Sequence, residues 1–429
     1  MRVAYLASGA GGMYCGSCMR DNRVAATLIS QGRDVVLIPL YTPLRTDETD
    51  VSSEPVYYGG INVFLEQRMP FLRNAPSWLT GVLDSPTLLR QAMRLSANTD
   101  PATLGALTVS VLKGEHGAQR RELARLIDGL RIIKPGIVVL PNLMFVGVAR
   151  SVKSALNVPV LCTLSGEDVF LDELPESHRL EAFDLIRERG GDVDGLISTT
   201  SYFADHAASH FGLPRARTHV VSLGVRVEDF AEPAIPPNSP FTIGYLARVC
   251  PAKGLTGLCK ALVRLRKEGR DCRVRAAGYL GAADRSYLEG IRAYIDEHQA
   301  GHAFEYVGEV NRAEKIDFLR SLHVLSVPTV YHEAKGVYII EALAAGVPVV
   351  QPCHGSFPEL IEATGGGLLY DPTGPEALPA AIARLMDDAA LRRRLADDGR
   401  QAVRKSFTDV AMAEQTWAVF EQYAAKRRG

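Results

Sequence analysis

Glu333 and Glu341 stand eight residues apart, with Gly336 between them, in the run Glu333-Ala-Lys-Gly-Val-Tyr-Ile-Ile-Glu341. The residues that follow are Ala-Leu-Ala-Ala-Gly346-Val-Pro348-Val-Val350. The stretch 337–345 is rich in Ala, Ile and Leu and is unbroken by Pro or Gly, which predicts a helix. Gly346 stops that helix and Pro348-Val-Val opens the next strand. Glu333 then lies in the loop before the helix, and Glu341 about one turn into it. Between them, a helix N-terminus presents unpaired N–H groups and the positive end of a dipole, both suited to phosphate. With carboxylates on either side to accept from hydroxyls, the segment could hold a phosphorylated sugar. Taken alone, the spacing reads more readily as a partly exposed helix with two surface acids.

A second group precedes it: Gly244-Tyr-Leu-Ala-Arg248-Val-Cys-Pro-Ala-Lys253-Gly254. Arg248 and Lys253 follow an apolar strand and precede a helix, so both can emerge at the carboxyl end of a sheet. A guanidinium and an ammonium there would neutralise a diphosphate and stabilise it as a leaving group. Each cation alone reads as a solvated loop residue; the spacing Arg-x4-Lys-Gly, joined to Glu-x7-Glu, is the stronger signal.

Near the N-terminus, Ser8-Gly9-Ala-Gly11-Gly12-Met-Tyr14-Cys15-Gly-Ser-Cys18-Met-Arg-Asp21 is glycine-rich, but the dinucleotide spacing Gly-x-Gly-x-x-Gly fails at Tyr14. Cys15-x2-Cys18 invites a zinc or redox reading. Zinc needs four ligands, and no second Cys-x2-Cys or nearby His pair exists, so packing of two small side chains in a tight loop is favoured. Further along, Cys162-Thr-Leu-Ser165-Gly-Glu167-Asp168 ends a strand with two acids. They could bind acceptor hydroxyls or simply cap a helix. His116, His206, His210 and His298 fall in polar contexts that call for no function.

The elements that must position these groups alternate strand, helix, strand, twice over, which implies an α/β protein with parallel sheets covered by helices. In the first half, strands are expected at 3–7, 35–39, 136–140, 158–163, 196–198 and 219–221, with a helix over 20–31. Residues 51–116 lack clean alternation and read as an insertion suited to acceptor recognition. Four prolines within 231–240 mark a linker. Beyond it, strands at 242–246, 273–277, 304–307 and 324–327 alternate with helices at 255–267, 287–297 and 313–321. The closing segment, 410–427, is amphipathic, with Trp417, Phe420 and Tyr423 on one face. Domains are therefore expected at 1–230 and 231–408, with 409–429 as a terminal helix. Two doubly wound domains place ligands at the carboxyl ends of both sheets.

A chain of 429 residues exceeds one usual core. Its 47% hydrophobic and 23% charged residues are those of an ordinary globular protein. A formal net charge of −1 argues against nucleic-acid binding. The basic cluster Lys426-Arg-Arg428 reads as a solvated terminus. No apolar run approaches the length of a transmembrane helix, and the apolar N-terminal stretch breaks at Gly9, as a core strand would and a signal peptide would not. Contact with a membrane surface and the oligomeric state stay open. Seven cysteines, an odd number spread over both halves, suggest reduced thiols and a cytoplasmic setting.

With these motifs the chain resembles the retaining glycosyltransferases of family four, a GT-B group that uses nucleotide-activated sugars. The resemblance covers nearly the whole chain and is strongest over 244–372. It runs through Gly-x-Leu-x-Arg248-x4-Lys253-Gly, Gly308-Glu-Val and Glu333-x2-Gly336-x4-Glu341-Ala-x3-Gly346-x-Pro348-Val-Val. Gly355-x3-Glu359-Leu-Ile, Gly366-x-Leu-Leu and Asp371-Pro372 complete it. The resemblance implies two Rossmann-like domains facing a cleft, with the C-terminal helix crossing back to the first. It implies that Arg248 and Lys253 hold the donor diphosphate, Glu341 the ribose and Glu333 the sugar, with Glu309 and Val310 near the base. Gly336 and Val337 belong to the same donor segment, and Gly11 and Gly12 to a loop approaching the diphosphate or acceptor. Arg248, Lys253 and Glu333 would carry catalysis; Tyr14, Ser165, Glu167 and Asp168 would face the acceptor.

Three departures stand out. Lys335 replaces the usual aromatic residue, and a cation there could meet phosphate or an acidic sugar. Ser165 takes the place of a histidine facing the sugar, and Leu223-Gly-Val-Arg226 replaces the usual Asn-Gly-Val-Asp turn. The implied activity is transfer of a sugar from a nucleotide-diphosphate sugar to an acceptor hydroxyl with retention at the anomeric carbon. A GT-B nucleotide-sugar 2-epimerase and a non-catalytic nucleotide-sugar sensor are the rival readings. No cofactor is expected, and metal independence is, since no Asp-x-Asp sits on a strand end and two cations already face the diphosphate.

Overall fold

The computed structural model describes residues 1–9, 15–53, 101–236 and 238–426. Gly11, Gly12 and Tyr14 lie outside the described residues, as does most of the expected insertion. The end of that insertion is a helix, Pro101–Leu112, followed by the short turn Gly114–His116.

Among the described residues the chain forms two six-stranded sheets, parallel throughout, in two compact units. The first unit comprises Met1–Ser222 with Met412–Gly429, and the second Leu223–Ala411. The first sheet takes β1 (Val3–Ala7), β2 (Val35–Pro39), β3 (Ile137–Leu140), β4 (Val160–Thr163), β5 (Gly195–Ser198) and β6 (Thr218–Val220) in the order β2-β1-β3-β4-β5-β6. The second takes β7 (Phe241–Leu246), β8 (Cys272–Ala277), β9 (Phe304–Gly308), β10 (Val324–Leu325), β11 (Val349–Pro352) and β12 (Gly367–Tyr370) in the order β12-β11-β10-β7-β8-β9. Both are Rossmann-like α/β arrangements.

Position in the sheet explains the strand compositions. β1, β3, β4, β5 and β7 are buried along their whole length, because helices cover both faces, and they read as continuous apolar runs. β9 and β12, at the edges of the second sheet, are only half-buried. The first helix, Gly16–Ser30, begins earlier than the expected 20–31. Cys15 is extended and caps this helix, and Cys18 already packs in the core. The proline-rich stretch is held along the second unit: Ala234 N donates to Ala345 O at 2.7 Å and Ile235 N to Arg320 O at 3.1 Å.

The order of strands matters for function. In the second sheet the chain leaves β7 toward β8 and β9 on one side, then crosses back to β10 on the other. β7 and β10 are direct neighbours, with Leu325 opposite Gly244. The crevice outside the carboxyl ends of such a pair is where doubly wound sheets take ligands.

The terminal helix, Asp409–Lys426, packs on the first unit. Met412, Trp417, Phe420 and Tyr423 share one core with Val3, Tyr5, Leu28 and Ile137. The Tyr5 and Phe420 rings meet edge-on with centroids 6.4 Å apart, and Arg33 lies over Trp417 at 4.7 Å. A Cβ on Gly195 would fall 2.3 Å from the Tyr423 hydroxyl, so glycine at the start of β5 lets this ring seat without being displaced. Phe420→Ala should therefore lower stability by about 3–5 kcal/mol. Glu414→Ala, on the exposed face of the same helix, should change it by less than about 0.5 kcal/mol. Urea denaturation of both variants checks this; equal losses would mean that the helix is not part of the core.

Candidate functional site

Two loops meet at the β7/β10 crevice. After β7 the chain makes the short turn Pro251–Lys253 and then Gly254, at φ +76°, which starts the helix Leu255–Lys267. A Cβ on Gly254 would sit 1.8 Å from the Pro328 carbonyl oxygen, so the glycine of Lys-Gly is required by the close approach of the two loops. Val330 N donates to Ala252 O at 2.9 Å and locks them together.

Across this junction Lys253 Nζ reaches Glu333 Oε2 at 2.6 Å, with both side chains largely buried. The Tyr331 hydroxyl takes a hydrogen bond from Lys253 and donates to Glu333 Oε2 at 2.9 Å. Lys335 N donates to Glu333 Oε1 at 3.3 Å, and the rings of Tyr331 and Tyr338 flank the ammonium at 4.9 and 5.6 Å. Burial by itself would push the Glu333 carboxyl up. The charge of Lys253 and its hydrogen bond, with Lys335 and Tyr331, overcome that and bring it down to about 2. Behind the loop, Ser356 N donates to Glu333 O at 2.8 Å, and a Cβ on Gly355 would strike Glu333 N at 2.6 Å.

Gly336, at φ +70°, precedes the helix Val337–Ala344. It is packed so that a Cβ would meet Leu360 at 2.7 Å. The helix thus starts just after the Glu333 loop, and its first amides have no partners within the helix itself. Glu341 lies within the helix and, like Glu333, is buried rather than a surface acid. Its partner is Lys315, whose Nζ lies 2.6 Å from Glu341 Oε1, with Arg312 Nη1 at 3.9 Å. Both cations stand on the helix Arg312–Arg320, fixed by a capping box between Asn311 and Glu314. The sequence reading missed them. Two cations three residues apart at the start of a helix, just after Glu309-Val310, were the available signal.

Arg248 leaves the same strand as Lys253 but is exposed and makes no ion pair among the described residues. Its Nε lies 3.4 Å from Cys250 Sγ, and its carbonyl accepts from the Tyr245 hydroxyl at 2.8 Å. Glu309 and Val310 follow β9, the edge strand beside β8.

In the first unit, the loop after β4 carries Ser165, Glu167 and Asp168. Both Glu167 oxygens accept backbone amides, from Leu143 at 3.1 Å and Ser165 at 2.8 Å. Asp168 Oδ2 lies 3.2 Å from His206 Nε2, and this contact raises the histidine's proton affinity against the effect of burial. A buried Arg20 joins the network: its guanidinium binds Asp21 at 2.7 Å, Thr163 Oγ1 at 3.1 Å and Ser165 Oγ at 3.3 Å. Arg20 was also missed, since nothing in its local sequence shows that it turns toward a loop 145 residues away.

Comparison with known proteins bears on the second unit first. Residues 226–402 match the family of glycosyl transferases group 1. Over 238 residues the chain is 29% identical to the MMP alpha-(1->4)-mannosyltransferase of Mycolicibacterium hassiacum, covering 54% of this chain and 55% of that one. Over 253 residues it is 27% identical to the glycogen synthase of Mycobacterium tuberculosis, covering 59% and 58%. The chain thus spans little more than half the length of the curated relatives it matches. Whole-chain likeness appears in the fold. The sucrose-phosphate synthase of Thermosynechococcus elongatus superposes with a TM-score of 0.71 at 17% identity, over 99% of this chain and 100% of that one. Anabaena HepE in complex with UDP gives 0.69 at 15%, over 98% and 100%.

The buried pair has a consequence for acid stability. A carboxyl lowered from 4.5 to about 2 stabilises the folded state fully above pH 4.5, and that stabilisation fades as pH falls toward 2. Its size is roughly 3 kcal/mol. Glu333→Gln should flatten the loss of stability between pH 4.5 and 2, while Lys253→Met, which strands the carboxylate, should cost about 3–5 kcal/mol at neutral pH. Melting curves across that range for both variants check the pair; an unchanged acid limb in Glu333→Gln would remove it.

Proposed function

We propose that the protein is a retaining glycosyltransferase that moves a sugar from a nucleotide-diphosphate sugar to an acceptor hydroxyl. The observation that carries this reading is the Arg248 guanidinium, which makes no ion pair among the described residues and stands on the same β7 loop as Lys253, while the helix Val337–Ala344 starts just after the Glu333 loop. Guanidinium, ammonium and amides together suit a diphosphate. The names of the relatives, a mannosyltransferase and a glycogen synthase, support a hexosyl donor, and the UDP bound to HepE supports a nucleotide.

In this reading Arg248 and Lys253 stabilise the charge that develops on the departing diphosphate. A phosphate oxygen takes the acceptor proton on the face that the leaving group vacates. Glu333 contacts the sugar. Glu341 binds the ribose, since a carboxylate has about four lone-pair directions and Lys315 need not exhaust them. Glu309 and Val310 read the base. Ser165 and Asp168, on the loop that Glu167 holds, take the acceptor. We place the protein in the cytoplasm, where its seven thiols stay reduced.

Arg248→Ala should slow turnover by about a hundred- to a thousandfold, the cost of losing one donor to a developing charge. Its melting temperature should hardly move, because Arg248 supports no ion pair among the described residues. Steady-state assay over a panel of nucleotide sugars, followed by NMR of the product's anomeric proton, reads donor, rate and stereochemistry together. Near wild-type turnover in Arg248→Ala, or an inverted product, would overturn the assignment. Because cations neutralise the diphosphate, activity should persist in a chelator; restoration only by magnesium or manganese would contradict this.

A further inference from the structure

At the end of the first sheet opposite to Ser165 and Asp168, the starts of β4, β5 and β6 border a cleft of about 490 Å³. This is within the size range of small-ligand sites, roughly 300–1,000 Å³. Lys153, Arg217, His219 and Lys426 line it, with Tyr423 as an aromatic wall and Asp194 as the one carboxylate. Asp194 is already engaged on both oxygens, by Lys153 Nζ at 2.8 Å and by Val160 N at 2.8 Å. Lys153 is spent in the same contact. Arg217 and Lys426 have no carboxylate partner among the described residues, although ion pairs engage many of the other arginines.

Lys426 alone would be explained by the terminal helix, whose last turn favours a cation. Arg217 stands on another element, just before β6, and has no such explanation. Lys426 lies over the Tyr423 ring at 4.9 Å, and His219 Nε2 is 3.0 Å from the Tyr423 hydroxyl. Burial lowers the proton affinity of His219, and the nearby Lys426 lowers it further, as expected where positive charge is left uncompensated. With Asp194 paired to Lys153, the cleft carries an excess of positive charge, and such a concave surface concentrates anions.

We propose that this cleft binds a phosphate group, with Arg217 and Lys426 pairing to its oxygens and the Tyr423 ring covering the body of the ligand. A small phosphorylated metabolite and a phospholipid headgroup share that chemistry. Either would tie the terminal helix to the sheet and stabilise the first unit in proportion to its occupancy.

The test uses the full chain labelled at histidine, with the His219 ring resonance assigned through His219→Gln. Inorganic phosphate should shift that resonance saturably and raise the pH at which it titrates, whereas chloride at matched ionic strength should not. Arg217→Ala and Lys426→Ala should each weaken binding by about tenfold or more, and the double variant should abolish it. Both residues are exposed, so the variants should melt like the parent without phosphate. Sedimentation with phosphatidylglycerol vesicles, against phosphatidylcholine alone, separates the sources. Vesicle binding lost in the double variant assigns a lipid headgroup; a response to phosphate without vesicle binding assigns a soluble ligand. No response to either, or an equal response from the double variant or from chloride, overturns the site.

Discussion

A carboxylate as buried as Glu333 stays charged only beside a matched cation. Alone in an apolar setting it would take up a proton, because desolvation penalises the ionised form. Lys253 supplies the match, yet it lies 80 residues earlier in the chain. The two can pair only because β7 and β10 are neighbours in the sheet and because Gly254 lets the β7 loop come against Pro328. Strand order, loop contact and ion pair are thus one constraint. The position of Gly336, and with it the open end of the helix Val337–Ala344, follows from the same junction.

The pair also divides the work between two cations that the sequence treats alike. Lys253 is neutralised before any ligand arrives, so the field outside β7 comes mainly from Arg248 and the helix N-terminus. Under the proposed function, a diphosphate drawn to Lys253 would compete with Glu333 for the ammonium. The carboxylate then depends on the Tyr331 and Tyr338 hydroxyls and the Lys335 amide to remain charged. This explains why two tyrosines surround one acid. Glu341 repeats the arrangement in simpler form, paired with Lys315 inside the core.

Local pattern carried much of this architecture. The parallel strands announce themselves as apolar runs, Gly346 and Pro348 punctuate a helix and a strand as expected, and Arg-x4-Lys-Gly falls where a strand hands over to a helix. What local pattern does not carry is the partner of a charge. Glu-x7-Glu looks like two surface acids because nothing nearby shows that Lys315 and Lys253 will reach them. Burial and pairing arise together from long-range register, and for the same reason Arg20 gives no sign of its bond to Ser165. The start of the first helix was missed for a different cause: Gly16 reads as loop, and the helix begins there, after the extended Cys15.

The terminal helix has a consequence for how the molecule is made. The second unit is one continuous stretch, Leu223–Ala411, while the first is completed by residues from Met412 onward. Its core includes Trp417, Phe420 and Tyr423 together with Val3 and Tyr5, contacts that span most of the sequence. Such contacts incur their loop-closure cost before any packing offsets it. During synthesis the second unit can therefore close while the sheet of the first still lacks the helix Asp409–Lys426. That sheet must keep an apolar face open until this helix has been made. Gly195, which leaves room for the Tyr423 ring, is where this helix meets the start of β5.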